Sequence, residues 1–196
     1  MKRILTFLLC VIIVFASTST CIADTLDKSA FENLDGYKYD KFTKKWSYFQ
    51  AYSHEYKDAY LVVGIEVYGG NEEQMPPTLY CWIRDEKNND VLHEVNKMMF
   101  LIGDDLFTFN NLFISDSSST ALLGEESKEF LEALSNGKEM SIRLSFKTGS
   151  IDEEVKSSEF EKTFKAAAKA ILKSNIWDYV SDSWKEITTF YGPTKE

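Results

Sequence analysis

The side chains best suited to catalysis in this sequence are two histidines and a cysteine, His54, His93 and Cys81. Each histidine is followed by a glutamate, but neither pair extends to the H-E-x-x-H spacing with which a helix holds zinc. The sequence contains no G-x-S-x-G turn for a serine nucleophile and no glycine-rich loop for phosphate. We therefore expect His54 on a solvated turn and His93 on a strand surface, and we predict no catalytic residue.

Runs of acidic residues offer oxygen atoms that could hold a cation, at residues 85–90, 104–105 and 152–154. The first run lacks the central glycine and the distal glutamate of an EF-hand loop. Because the chain has 31 acidic residues, such runs are expected in solvated loops. The sequence therefore predicts no metal site and no cofactor. Two carboxylates facing each other across a cleft would nevertheless suit glycoside hydrolysis.

Aromatic residues carry most of the functional information, because they make up 14% of the chain and recur at strand spacing. Tyrosine and tryptophan combine a large apolar area with a polar group, which suits them to binding a glycan or a protein. We expect two alternating pairs of them to lie on one face of a sheet. The candidate ligand-binding residues are Trp46, Tyr48, Tyr80 and Trp82.

The competing interpretation makes this aromatic face a second core beneath helices from the C-terminal part of the chain. The apolar residues that would cover it are Phe160, Phe164, Trp177 and Trp184. A covered face would stabilise the fold and bind nothing. The two interpretations therefore differ in the exposure of the aromatic side chains.

Alternating apolar and polar residues predict about six strands, and the alternation is clearest in residues 59–68. The six segments are residues 44–52, 59–68, 78–84, 91–102, 106–114 and 139–147. The fourth segment changes parity along its length, which indicates a β-bulge. Cys81 shares one strand face with Leu79 and Ile83, so we expect a buried thiol that reacts slowly.

Three helices are predicted from apolar residues at helical spacing. The first covers residues 125–136 and ends at Gly137. The second begins at Ser158, which forms a capping-box pattern with Glu161. After a break, a further apolar stripe consists of Ile176, Val180, Trp184 and Ile187.

Because strands come first, helices come late and the connections are short, the sequence predicts an α+β fold with a mostly antiparallel sheet. One helix is inserted between the last two strands, and the C-terminal helices pack on a sheet face. We expect residues 24–196 to form a single domain, since no linker interrupts them. The net charge of −9 argues against a nucleic-acid partner, which requires clustered lysine and arginine.

The first 23 residues have the three parts of a secretory signal peptide. Lys2 and Arg3 precede an apolar run at residues 4–16, which is too short to span a membrane as a helix. Small polar residues follow at positions 17–20, and the triplet Cys21-Ile22-Ala23 then approximates the small-x-small pattern that signal peptidase cleaves. We expect a mature chain without a transmembrane span, exported to the periplasm or outside the cell.

Three functions stay open at this point. The favoured one is an exported bacterial binding or interaction module without enzymatic activity, whose partner is a protein or a glycan. The second is a small secreted hydrolase that acts on a glycan or a peptide. The third is an envelope component anchored by lipid through Cys21, although the preceding Thr18-Ser19-Thr20 fit the lipidation pattern poorly.

Processing of the N-terminus tests the export prediction directly. Mass spectrometry of the protein isolated from the producing cell should show a chain that begins close to Asp24, because the preceding triplet fits the cleavage pattern. Secreted protein that retains Met1 would contradict cleavage. A diacylglyceryl group on Cys21 would instead support the lipid-anchored alternative.

Overall fold

The computed structural model describes residues 28–56, 59–70, 75–85, 91–115, 118–137, 139–147, 149–155 and 158–196. The predicted signal peptide and most of the acidic run at residues 85–90 lie outside these residues. The predictions for the side chains of His54, His93, Phe160 and the capping-box pair also lie outside what the structure describes.

The described chain contains twelve strands and three helices, and nine of the strands precede the first helix. The strands are β1 (Tyr37–Tyr39), β2 (Trp46–Tyr56), β3 (Ala59–Gly69), β4 (Thr78–Asp85), β5 (Val91–His93), β6 (Val95–Ile102), β7 (Asp105–Phe109), β8 (Phe113–Ser115), β9 (Ser118–Leu122), β10 (Met140–Phe146), β11 (Gly149–Val155) and β12 (Thr194–Lys195). The helices are α1 (Lys128–Asn136), α2 (Ser158–Lys173) and α3 (Asp182–Tyr191). Single 3-10 turns occupy Lys28–Ala30, Glu125–Ser127 and Ile176–Asp178.

The strands form two antiparallel sheets. The larger sheet has the order β1-β2-β3-β4-β9-β8, and β5 also pairs with β4. The smaller sheet has the order β11-β10-β6-β7-β12. The α+β class and the antiparallel pairing are thus confirmed, as are the inserted helix α1 and the C-terminal helices. The strands divide between two sheets, whereas the sequence predicted one sheet of about six strands.

The division between the sheets occurs inside the predicted strand at residues 91–102. Strand β5 pairs with β4 in the larger sheet, whereas β6 pairs with β10 and β7 in the smaller one. Glu94 separates β5 from β6, and the β6–β10 register shifts where Val95 and Lys97 pair with successive residues of β10. The change of apolar parity within residues 91–102 therefore coincides with the passage of the chain from one sheet to the other and with an irregularity in the pairing of β6 and β10.

Two segments that the sequence predicted as turns or loops lie in strands. Strand β2 continues to Tyr56, so His54 lies in a strand and not on a turn. The acidic residues 152–154 belong to β11, which pairs along its whole length with β10. In both places the pairing of a long neighbouring strand outweighs a polar composition, because each additional residue completes backbone hydrogen bonds.

One continuous core joins the helices to both sheets. Phe130 of α1 lies at its centre, with edge-to-face ring contacts at centroid distances of 5.2 Å to Phe100, 5.5 Å to Phe107 and 5.1 Å to Phe109. Cys81 is fully buried in this core, as predicted, and its Sγ donates to the carbonyl oxygen of Ser119 at 3.7 Å. Burial raises the pKa of this thiol, because the thiolate is desolvated.

Helix α2 buries apolar residues at helical spacing, as predicted, whereas α3 departs from the prediction. Phe164 and Ile171 of α2 are buried, and the helix packs on α1 and β2. In α3 the buried residue is Thr188, while Ile187 is 37% exposed. The stripe predicted to reach Ile187 is therefore wrong at its end. The 3-10 turn and the residues before Asp182 are not part of an α-helix, so the helical spacing of apolar residues cannot be extended from Ile176 into α3.

Substitution of Phe164 by alanine should lower the free energy of unfolding by about 3–5 kcal/mol, because it removes a fully buried ring from the core. The matched control is Phe190→Ala in α3, whose ring is 61% exposed and whose loss should change stability by less than about 0.5 kcal/mol. Urea denaturation of the two variants measures both values. Similar losses in the two variants would contradict the packing described for α2.

Candidate binding site

The register of the larger sheet separates its side chains into two faces. Directly paired residues of antiparallel strands lie on the same face. Tyr48 pairs with Val67, and two residues further along β3 Ile65 pairs with Leu79 of β4. We call this side the core face; it carries Trp46 and Tyr48 of β2, Leu61, Val63, Ile65 and Val67 of β3, and Leu79, Cys81 and Ile83 of β4.

Trp46 and Tyr48 are core residues. They are 4% and 1% exposed, and Phe31 contacts both rings at centroid distances of 5.1 and 5.5 Å. Burial, with a smaller contribution from the charge of Asp35, raises the pKa of Tyr48 to about 12. Its phenol therefore stays protonated at physiological pH. For these two residues the interpretation as a core describes the structure.

Tyr80 and Trp82 lie on the opposite side of the sheet, which we call the outer face. Its described residues include Phe49 of β2, Tyr60, Val62, Gly64, Glu66 and Tyr68 of β3, Thr78, Tyr80, Trp82 and Arg84 of β4, Thr120 and Leu122 of β9, and Phe113 of β8. The structure therefore does not bring the four predicted ligand-binding residues together. Each pair lies on a different face because the register between β2 and β4, which the sequence does not specify, places them in opposite phase.

A row of stacked groups crosses the middle of the outer face. The ring centroids of Phe49 and Tyr80 are 5.6 Å apart at an interplanar angle of 17°, and those of Tyr80 and Trp82 are 4.8 Å apart at 11°. The guanidinium carbon of Arg84 lies 5.0 Å from the Trp82 ring centre. Parallel rings at these distances cover each other's faces. The row therefore presents ring edges, together with one face of Phe49, to whatever approaches it.

Gly64 allows Tyr80 to take its place in the row. It pairs directly with Tyr80, and a Cβ atom at this position would lie 2.1 Å from both Cζ and the hydroxyl oxygen of that tyrosine. The ring thus covers the glycine, which is how aromatic residues compensate for glycine inside a strand. As a result Tyr80 is only 4% exposed, and burial beside Glu66 and Tyr68 raises its pKa.

Three polar atoms of the row have no partner among the described residues. They are the Tyr80 hydroxyl, Trp82 Nε1 and Arg84 Nε, all of which are buried. Nearby, the Tyr68 hydroxyl donates to the carboxylate of Glu66, and burial with this interaction raises the pKa of Tyr68 to about 12. Buried polar atoms without partners are costly, so this face is not optimised for stability alone.

Large apolar side chains surround the row and are open to solvent. Phe49 and Tyr68 are each 45% exposed, and Phe113 at the far edge is 57% exposed. None of the outer-face residues belongs to the described hydrophobic core. Sequence reasoning missed Phe49 and Phe113, although Phe49 could have been recognised because its parity is opposite to that of Trp46 and Tyr48.

A cavity of about 550 Å³ lies at the side of the larger sheet where β2 is at the edge. Its lining residues are Asn33, Leu34, Asp35, Tyr48, Gln50, Ala51, Tyr52, Ser53, Lys162 and Ala166. The lining mixes polar, charged and small apolar groups, and its volume is in the range of small ligand sites. Among the described residues no cluster of three His, Cys, Asp or Glu side chains could hold a metal ion.

Comparison with known proteins adds no assignment, because no protein-family model, no curated protein and no solved structure matches this chain. None of the helices in the described part of the chain is long and apolar enough to cross a membrane.

Gly64→Ala should lower the free energy of unfolding by about 1–3 kcal/mol, because the new methyl group collides with the Tyr80 ring. Gly149→Ala is the matched control, since its Cβ would approach only the end of the Phe146 side chain, at 3.3 Å. In a Tyr80→Ala background the cost of Gly64→Ala should disappear. Equal costs in both backgrounds, measured by urea denaturation, would contradict the contact.

Proposed function

We propose that this chain is an exported binding module without enzymatic activity, and that its outer face binds a protein partner. The observation that carries the proposal is the group of exposed aromatic side chains on a sheet face that no described element covers. Phe49, Tyr68 and Phe113 belong to the residue types that are enriched at the centres of protein interfaces. Exposed apolar surface of this kind marks interaction sites.

The geometry of the row favours a protein over a glycan as partner. A sugar ring stacks on an open aromatic face, but both faces of Tyr80 are covered by Phe49 and Trp82. One face of Trp82 is covered by Tyr80, and Arg84 lies over the ring as well. Ring edges and the open phenylalanines instead suit the apolar side chains of a protein surface.

The hydrolase alternative is less well supported. It needs a carboxylate or histidine with a shifted pKa in a cleft, next to the groups that would act with it. Burial raises the pKa of Glu126, but this side chain accepts a hydrogen bond from the amide of Gly124 at 3.2 Å and lies beside Thr188. These contacts place Glu126 at the junction of α1 and α3, where it has a structural role.

Export and the cell envelope as location are parts of the proposal that rest on the first 23 residues. Anchoring by lipid through Cys21 is a third alternative and would leave the outer face available in the same way. Both forms place the domain where a partner in the envelope or outside the cell can reach it.

Photo-crosslinking in the producing cell tests the proposal. Benzoylphenylalanine at position 113 should crosslink to one protein, whereas the same group at position 190 should not, because Phe190 is comparably exposed but lies in α3. With the identified partner purified, Phe113→Ser should raise the Kd at least about tenfold, as loss of an interface aromatic does. Phe190→Ser should leave the Kd unchanged.

Two results would overturn the proposal. Unchanged affinity of Phe113→Ser for the purified partner would remove the outer face from the interaction. Cleavage of the purified partner by the wild-type protein would replace a binding module with the hydrolase.

A further inference from the structure

In the part of the chain that the structure describes, the edge of strand β2 is open over residues 50–56. On the side away from β3, the short strand β1 pairs only with Trp46, Ser47 and Tyr48. The Phe49 amide then donates to the carbonyl oxygen of Gly36 at 3.2 Å, and the chain turns away at this glycine, whose φ is 94°. Within the described residues, no other strand pairs with this side of residues 50–56.

The backbone groups that face this edge follow from the Phe49 hydrogen bond. The N–H and C=O of one strand residue point to the same side, and those of alternate residues repeat that direction. Because the Phe49 amide points away from β3, so do the amides and carbonyls of Ala51, Ser53 and Glu55. These three residues therefore present a ladder without a partner among the residues that the structure describes, and it extends for about 13 Å at 3.3 Å per residue.

The cavity lies against the first part of this ladder, because its lining includes Ala51 and Ser53. Its lining includes four consecutive residues of β2, from Gln50 to Ser53. Consecutive strand residues point to opposite faces, so a cavity that touches all four lies beside the strand and not above one face. Lys162 and Ala166 of α2 form the opposite wall, and residues 33–35 line the cavity as well.

We infer that the open edge of β2 binds an extended peptide segment of a partner polypeptide, which adds to the larger sheet as a strand beside Ala51, Ser53 and Glu55. Donors and acceptors that recur every second residue match the backbone of another strand, whatever its sequence. The polar lining of Asp35, Gln50 and Lys162 suits polar side chains on the segment.

The size of the cavity favours a short segment over a second copy of this chain. A second copy would bring a complete sheet edge together with its own α2. The 550 Å³ between the edge and the α2 wall accommodates only a few residues. This inference concerns a surface separate from the Tyr80–Trp82 row, so it can fail while the proposed role of the outer face stands.

Amide hydrogen exchange with selected peptides tests the inference. Heptapeptides are selected from a random phage-displayed library on the wild-type protein and then synthesised. At saturation with such a peptide, exchange of the Ala51, Ser53 and Glu55 amides should slow at least tenfold. The Phe49 amide is the internal control, because it is already hydrogen bonded to Gly36.

Two kinds of variant separate backbone pairing from other contacts. Ser53→Pro removes one free N–H without touching the pairing with β3, so it should fold and lose at least tenfold in peptide affinity. Ser53→Thr keeps the N–H and should bind as the wild type does. If Ser53→Pro fails to fold, N-methylation of the peptide decides. Methylation of the alternate amides that face β2 should abolish binding, whereas methylation of those that face away should preserve it.

Several outcomes would overturn the inference. One is the absence of any selected peptide, and another is equal binding to a folded Ser53→Pro variant. Protection of the Ala51, Ser53 and Glu55 amides in the free protein would show that the chain's own residues fill the edge. A dimer that Ser53→Pro dissociates would assign the edge to a second copy.

Discussion

The pairing of β3 with β2 and β4 is the constraint on which the rest of the larger sheet depends. In β3, Leu61, Val63, Ile65 and Val67 point to the core, and the hydrophobic gain from burying them fixes which face is inside. Once β3 is fixed, the register of β2 on β3 and the register of β4 on β3 decide which face of the sheet each aromatic residue of β2 and β4 occupies. A slip of one residue in β2 would exchange Tyr48 with Phe49, so that a buried phenol would become exposed and an exposed ring would become buried.

Glycines in β3 make room for an aromatic side chain on each face of the sheet. Gly69 pairs with Trp46 on the core face, and a Cβ atom there would lie 2.2 Å from the indole ring. Gly64 has the same relation to Tyr80 on the outer face. A glycine opposite an aromatic residue therefore has two effects: at Gly69 it completes the packing of the core, and at Gly64 it positions Tyr80 in the row on the outer face. This explains why two glycines, which weaken a strand in isolation, occur inside the central one.

The sequence predicted those features that depend on local periodicity. Strands β3 and β4, the inserted helix with its left-handed Gly137 cap, and α2 all follow from alternation or helical spacing within one segment. Features that depend on pairing between distant segments were not predictable. The division at Glu94, the strand character of residues 152–154, and the opposite faces of Tyr48 and Tyr80 all need a register or a partner strand. The candidate site fell in this second class, so the four residues predicted on one face are divided between two faces in the structure.

An unpaired strand edge is a hazard for a protein that has to stay soluble, because it invites pairing with another sheet. The edge of β2 is protected by α2 in a way that still leaves room for a single strand. Lys162 of α2 lines the space beside it, and a charged lysine at an edge opposes the close approach of a second sheet. The turn at Gly36, just before β1 begins, limits the pairing of β1 to Trp46–Tyr48, which leaves the edge beyond Phe49 accessible to another strand. Among the described residues, the edge is open from Ala51 to Glu55 and is flanked by α2. This arrangement favours the binding of one extended segment over pairing with a whole sheet, because the space between the edge and the helix has the form of a groove.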